Sequence, residues 1–288
     1  MRELPLDLLA CPGCRGPLVA SPGVLECRAC RLQYQRTAEG ADLAPVALDH
    51  RAAANPGWGR WREAIRGLDR WRARRRLHPR RSPRQADTPA GRAMQAFFEH
   101  AGLHGAVVDV GARDGNKLEL MPSGIRYLGL DPFPLENPAL PPNACVVRGF
   151  VEALPVATGV ADAVVALASF DYFVDPAGAL GEMDRVLRRD GILAVLISVV
   201  TPAVARARSA EGLLPRVGLA LAAAPEAGLR GTFDLLADAV TIGDRFNTHY
   251  YTREGFLDLL GSRFEVVWLR AVPQTVSTIL YVVARKRR

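Results

Sequence analysis

The chain has 288 residues, 49% of them apolar, enough for one α/β domain with a sizeable core and a small accessory module. No apolar run approaches the ~20 residues of a membrane span. The longest, Ile192 to Val200, reads as a buried strand, and the start Met1-Arg2-Glu3-Leu4-Pro5 lacks a signal-peptide pattern, so a cytoplasmic protein with no transmembrane segment is expected. The formal charge of +7 is concentrated: residues 60–84 hold eleven Arg against Glu63 and Asp69, a local +9 that leaves −2 for the rest. The basic balance therefore belongs to one segment and does not make the whole chain a nucleic-acid binder.

Residues 1–48 read as a compact cysteine-rich module. Cys11-Pro12-Gly13-Cys14 and Cys27-Arg28-Ala29-Cys30 form two C-x2-C knuckles, each of which aims two sulfurs at one point. Together Cys11, Cys14, Cys27 and Cys30 make a ligand set for a tetrahedral zinc ion, favoured over disulfides in an intracellular chain. Four protein ligands leave no open position, which points to a structural zinc that supplies folding energy to a module with little core.

Residues 49–90 connect this module to the rest. Trp58, Trp61, Ile65, Leu68 and Trp71 fall at three- and four-residue steps among eight Arg between 60 and 76. An amphipathic helix of this kind can pack its Trp stripe inward, bind RNA phosphates, or lie on an anionic surface, so residues 58–84 are the candidate contact for RNA or an anionic surface. Pro79, Pro83 and Pro89 mark a linker.

Residues 91–288 alternate strand-like and helix-like segments, as in a mostly parallel sheet covered by helices. Ala93 to Gly102 reads as a helix. Strands are expected at Ala106–Val110, Tyr127–Leu130, Cys145–Val147, Ala163–Ala168 and Ile192–Val200. A helix is expected over Pro176–Arg188, with Asp175 as N-cap, Pro176 at the first turn and Gly191 just past its end. Residues 202–245 form an Ala- and Leu-rich helical insertion, too long for a plain connection and read as a cap. Thr252–Leu260 is a further helix, and Phe264–Leu269 with Val276–Val283 a final antiparallel pair, making seven strands in all.

The segment Val107-Val108-Asp109-Val110-Gly111-Ala112-Arg113-Asp114-Gly115 is a strand running into a glycine-containing turn. Such a turn lets backbone N–H groups approach a ligand. Asp131, after Tyr127-Leu128-Gly129-Leu130, is an acid at the tip of the second strand, where it can accept from ribose hydroxyls. These features alone fit a nicotinamide dinucleotide site equally well.

Across residues 107–200 the chain resembles the class I S-adenosylmethionine methyltransferases, in particular the branch that includes quinone-biosynthesis enzymes. The motif residues are Asp109, Gly111, Arg113 and Gly115, then Asp131, then Glu152-Ala153-Leu154-Pro155, Asp162-Ala163-Val164-Val165 and Glu182 to Gly191, in the family's order. The resemblance implies an α/β Rossmann-like fold, a mostly parallel seven-stranded sheet with a terminal antiparallel strand. It also implies S-adenosylmethionine bound by Asp109, Gly111, Ala112, Gly115, Asp131, Pro132, Val151 and Ala168, with Val151 at the adenine. Two positions depart from it: Arg113 stands at the middle glycine, and Phe150 where relatives often carry an acid for the adenine amine. At the N-terminus, Leu8-Leu9-Ala10-Cys11-Pro12, the second knuckle and Gly40-Ala41-Asp42-Leu43 resemble the small zinc-binding activator proteins of methyltransferases. That implies a scaffolding module fused in cis.

The acceptor-facing position of this family follows the fourth strand, here Ser169-Phe170-Asp171-Tyr172-Phe173. Asp171 and His249, the latter in Asn247-Thr248-His249-Tyr250-Tyr251-Thr252, are the candidate catalytic bases, with Tyr172 and Tyr251 as pocket walls. No Asn-Pro-Pro-Tyr-type motif follows the fourth strand, which speaks against methylation of the exocyclic amines of bases. The first reading is methyl transfer to a small-molecule, glycan or lipid acceptor. An rRNA or tRNA methyltransferase is the alternative suggested by the Arg-rich segment, and a non-catalytic cofactor-binding scaffold the one suggested by Arg113 and Phe150. The residues leave the oligomeric state open.

Overall fold

The computed structural model describes residues 3–37, 40–54, 85–137, 139–210, 213–240 and 249–287. The Arg- and Trp-rich segment expected to contact RNA or an anionic surface lies outside the described residues. Among the described residues no helix is long and apolar enough to cross a membrane.

The larger part of the chain is built on a seven-stranded sheet. Three small strands come earlier in the chain: β1 (Leu18–Ser21), β2 (Val24–Cys27) and β3 (Gln33–Gln35). The large sheet then uses β4 (Ala106–Val110), β5 (Arg126–Asp131), β6 (Ala144–Arg148), β7 (Ala161–Leu167), β8 (Leu187–Val199), β9 (Phe264–Pro273) and β10 (Thr278–Lys286), in the order β6-β5-β4-β7-β8-β10-β9. The pairs from β6 through β8 are parallel, and β10 runs antiparallel to both of its neighbours. Every residue of β4 is buried, which explains why the strand reads as a continuous Val-rich run rather than an alternation. The chain leaves β4 for β5 on one side and returns to β7 on the other, so a crevice opens at the carboxyl ends of these strands.

The helices start where capping chemistry allows. In α2 (Pro89–Ala101), which follows α1 (Val46–Ala54), Thr88 accepts from the Gly91 N–H and Gly102 closes the C-terminus in the left-handed region at φ 63°. In α3 (Pro176–Val186), Asp175 accepts from the Gly178 N–H. The end of α3 differs from the sequence expectation. The helix stops at Val186, and Leu187 already pairs with Ala161, so Gly191 lies inside β8 rather than past a helix end. A register shift between Ala161 and Ala163 absorbs the extra residues of β8. Lys286 reaches back from β10 to the carbonyls of Asp184 and Leu187, satisfying the helix end that a glycine cap was expected to serve.

The insertion is helical, with α4 (Pro202–Ser209), α5 (Leu213–Ala222) and α6 (Ala224–Val240), the last broken at Gly228. Val200, Ala203, Val204, Ala220, Ala223 and Leu235 give it a small core of its own. α7 (Arg253–Gly261) follows, capped by Thr252.

The cysteine-rich region does not stand apart. Leu4, Leu8, Leu9, Leu25 and Leu43 share one buried cluster with Val147, Leu154 and Val156 of the larger part. Leu9 bridges to Val156, and Asp42 pairs in parallel with Arg148, so residues 41–43 extend the large sheet beyond its β6 edge.

Candidate functional site

The four cysteines converge. Their sulfurs all lie within 4.8 Å of one another, Cys11 and Cys27 buried, Cys14 and Cys30 exposed. Each knuckle closes by a bond from a residue in the left-handed region: the Arg15 N–H donates to the Cys11 carbonyl, and the Arg31 N–H to the Cys27 carbonyl. Gly16 fits beneath them because a Cβ there would meet Cys27 Sγ at 3.1 Å and Cys14 Sγ at 3.2 Å. N–H groups of Cys30 and Ala29 stabilise the Cys27 thiolate and hold its pKa down to about 6. A compact four-sulfur donor set of this kind fits tetrahedral zinc in a closed, structural site.

The second site is a cavity of about 260 Å³ at the carboxyl ends of β4, β5 and β7. Gly111 (φ 80°) turns the chain off β4 so closely against Ser169 that a Cβ would lie 2.6 Å from the Ser169 Cβ. Asp131 ends β5; one of its oxygens accepts from the Arg113 N–H at 2.9 Å and the other from the Phe133 N–H at 2.8 Å. Burial raises this carboxyl to about 6, against the lowering effect of the two N–H donors, so it is mostly ionised at neutral pH. A carboxylate has about four acceptor sites, so two remain for vicinal hydroxyls. The Ser169 hydroxyl is buried on the cavity wall with no partner among the described residues, a polar atom placed for a ligand. Phe150 and Val151 form the apolar wall, and Pro132, Ala168, Tyr172 and Phe173 complete it.

The sequence-derived residues divide. Gly111, Asp131, Pro132, Val151 and Ala168 line one cavity. Asp109 does not: it is 2% exposed, and its carboxylate accepts from the Tyr127 hydroxyl at 2.7 Å inside the protein. Burial takes it up to about 7. Ala112 packs into the apolar cluster under α2, and Gly115 (φ 69°) lets the chain pass Leu140, where a Cβ would come within 3.0 Å. Arg113, at the position where a glycine was expected, takes the left-handed conformation itself (φ 55°) and lines the cavity without filling it. Glu152 is half-buried; its carboxylate accepts from the N–H groups of Val174 and Asp175 and so clamps the loop after the cavity.

Of the two candidate bases, Asp171 is 6% exposed, and burial raises it to about 7, opposed by the nearby charge of Arg208 on α4. His249 meets Asp171 through backbone, its N–H donating to the Asp171 carbonyl, while its ring Nε2 lies 2.8 Å from the Phe173 carbonyl. A carbonyl accepts only, so Nε2 carries the proton and Nδ1 is the remaining acceptor. The Tyr251 hydroxyl is buried without a partner among the described residues, and burial, with Asp171 nearby, raises its pKa. Neither Asp171 nor His249 lines this cavity, which reaches towards them through Ser169, Tyr172 and Phe173.

Two family models match this chain: residues 108–195 match a methyltransferase domain, and residues 3–35 match the Trm112p-like proteins. No curated protein matches it in sequence. Among solved structures, 1,6-didemethyltoxoflavin-N1-methyltransferase of Burkholderia thailandensis, solved with 1,6-didemethyltoxoflavin and S-adenosylhomocysteine, is 17% identical with a TM-score of 0.51, over 91% of this chain and 98% of that one. Geranyl diphosphate C-methyltransferase of Streptomyces coelicolor A3(2) is 12% identical with a TM-score of 0.46, over 68% of this chain and 76% of that one. The toxoflavin-enzyme likeness shows the shared fold.

Proposed function

We propose that this protein, a methyltransferase domain carrying a Trm112p-like zinc ribbon, transfers a methyl group from S-adenosylmethionine to a hydroxyl or amine of a small-molecule, glycan or lipid acceptor. One observation carries the reading: the ionised Asp131 carboxylate at the tip of β5 and the Gly111 turn at the tip of β4 line the same cavity. S-adenosylmethionine supplies an electrophilic sulfonium methyl with a neutral thioether as leaving group. Asp131 accepts the ribose hydroxyls, Val151 and Phe150 pack on the adenine, and the Gly111 turn with Ser169 receives the amino-acid end. The protein's contribution to rate is then alignment, holding a nucleophile in line with the methyl.

Where the acceptor loses a proton, Asp171 is the stronger base candidate. Its pKa near 7 matches the working pH, whereas one nitrogen of His249 is committed to the Phe173 carbonyl. The helical insertion caps the acceptor pocket, and the charge of −2 outside residues 60–84 suits a small acceptor better than a nucleic acid. In this reading residues 1–48 are the scaffolding ribbon, 49–90 the connector and 91–288 the catalytic domain.

Calorimetric titration with S-adenosylhomocysteine tests the assignment. The wild type should bind, with affinity falling as pH drops below about 6 and Asp131 loses its charge. Asp131→Ala should weaken binding by at least about tenfold, two charge-assisted bonds being worth roughly 1.5–3 kcal/mol each. Equal affinity in the variant removes the assignment.

A further inference from the structure

We propose that Arg148 is a positioning residue for the nucleoside end of the cavity, and that through it the seating of the zinc ribbon sets cofactor affinity. This rests on the cofactor reading given above. Arg148 ends β6 and spans two parts of the chain. On one side its guanidinium donates to both oxygens of Asp42, at 3.0 and 3.1 Å, and to Asp49 on α1. On the other, its Nε donates to the Pro132 carbonyl at 3.0 Å. Its backbone is fixed as well: the Arg148 N–H donates to the Ala41 carbonyl, and its carbonyl accepts from Leu43.

Pro132 directly follows Asp131, and the Asp131 carbonyl accepts from the Gly149 N–H at 3.1 Å. The turn that presents the ribose carboxylate is thus held from behind by Arg148 and Gly149. Two residues further on, Phe150 is 1% exposed and packs against Ala44 and Leu48 as well as Phe133 and Val174. Residues 42–49 therefore brace both the acidic turn and the apolar wall. Arg148, Asp42 and Asp49 do not line the cavity themselves.

The arrangement separates positioning from stability. The Arg148 side chain is 26% exposed and its partners 41% and 33%, so these ion pairs add little to global stability. Without the two carboxylates, however, the guanidinium is free to turn to water and the Pro132 carbonyl loses its donor. A turn with several conformations must be ordered by the cofactor, and affinity falls by the fraction that is competent. Coupling of this kind is reciprocal: cofactor bound at the turn also stabilises the seating of the ribbon.

The test uses the full chain and two readouts. Calorimetry with S-adenosylhomocysteine compares wild type, the double variant Asp42→Asn with Asp49→Asn, and Arg148→Lys. The lysine keeps a charge for the aspartates but has no Nε donor for Pro132. Both variants should bind about five- to tenfold more weakly, at unchanged zinc content and with a melting temperature within a few degrees of wild type. In the second readout, S-adenosylhomocysteine should slow zinc release to a chromogenic chelator in the wild type and lose that effect in the variants. If the double variant fails to fold, Arg148→Lys alone decides. No binding by the wild type overturns the cofactor reading and this inference together; wild-type binding with equal affinity and equal zinc protection in the variants overturns this inference alone.

Discussion

Asp109 sits on a fully buried strand and accepts a hydrogen bond from the Tyr127 hydroxyl, and burial moves its carboxyl from an ordinary 3.8 to about 7. A carboxyl whose folded pKa lies above its unfolded one favours folding below the unfolded value and loses that contribution as pH rises through the folded value. The window therefore runs from about pH 4 to pH 7. Above it, the ionised group costs the folded state about 4 kcal/mol, at 1.36 kcal/mol per pKa unit. Asp109→Asn removes the titration while its carbonyl oxygen still accepts from Tyr127. The new amide N–H₂ costs roughly 1–3 kcal/mol if left without a partner, but that cost does not vary with pH. Urea denaturation of both proteins at pH 5.5, 7 and 8, with zinc present, isolates the effect. The stability of the variant relative to wild type should rise by roughly 2–3 kcal/mol from pH 5.5 to 8. Asp131 and Asp171 titrate in both proteins and largely cancel in the difference. A difference that stays constant across this range would show that Asp109 is ionised throughout, and would refute the account of its burial.

Three further outcomes follow from distances in the structure. Gly111→Ala places a methyl 2.6 Å from the Ser169 Cβ at a backbone φ of 80°, so S-adenosylhomocysteine binding should drop at least about tenfold in calorimetry; wild-type affinity would place the ligand elsewhere. Gly40→Ala puts a Cβ 2.2 Å from the Val146 carbonyl oxygen at the seam between ribbon and sheet, and should lower stability by about 1–3 kcal/mol in urea denaturation. An unchanged midpoint would mean that the seam is not tightly packed. Zinc removal by a strong chelator should lower the melting temperature of the whole chain rather than of a separate small unit, because Cys11 and Cys27 lie in the same buried cluster as Val147 and Leu154. Two well-separated melting transitions would contradict that shared core.

Much of the fold was legible because its signals are local. Strands β4 to β7 are short apolar runs between turns, and the caps Asp175 and Thr252 sit beside the residues they serve. The first turn of α2 was missed: Pro89-Ala90-Gly91-Arg92 carries no apolar period, and Pro89, read as part of a linker, opens the helix after the Thr88 cap. The start of β8 was missed because Leu187 and Arg188 were read as the end of a helix; Arg188, Arg189 and Asp190 are exposed on a bulged strand. The residues expected at the cofactor site divide by the same logic. Gly111 and Asp131 each follow their own strand and were readable from spacing. The burial of Asp109 was not, because its partner Tyr127 comes from the neighbouring strand. Ser169 carries no motif of its own; only the approach of Gly111 gives its hydroxyl a place on the cavity wall.

The ribbon is the part whose role local signals describe least. Its cysteines announce a metal site, but not where it docks. The docking follows from the sheet: β6 ends one side of it, and an open edge there would leave backbone N–H and C=O groups unpaired. Residues 41–43 cover the Arg148 end of that edge, with Asp42 pairing to Arg148. Gly40 is needed there because the chain passes within a Cβ's reach of the Val146 carbonyl. Leu8 and Leu9, immediately before the first knuckle, fill the adjoining core. The residues that resemble a free-standing activator are therefore those that close this domain's sheet. An edge protected by a segment of the same chain requires no second protein to find it, and the high local concentration of a covalent link makes that contact far more populated than an equivalent one in trans.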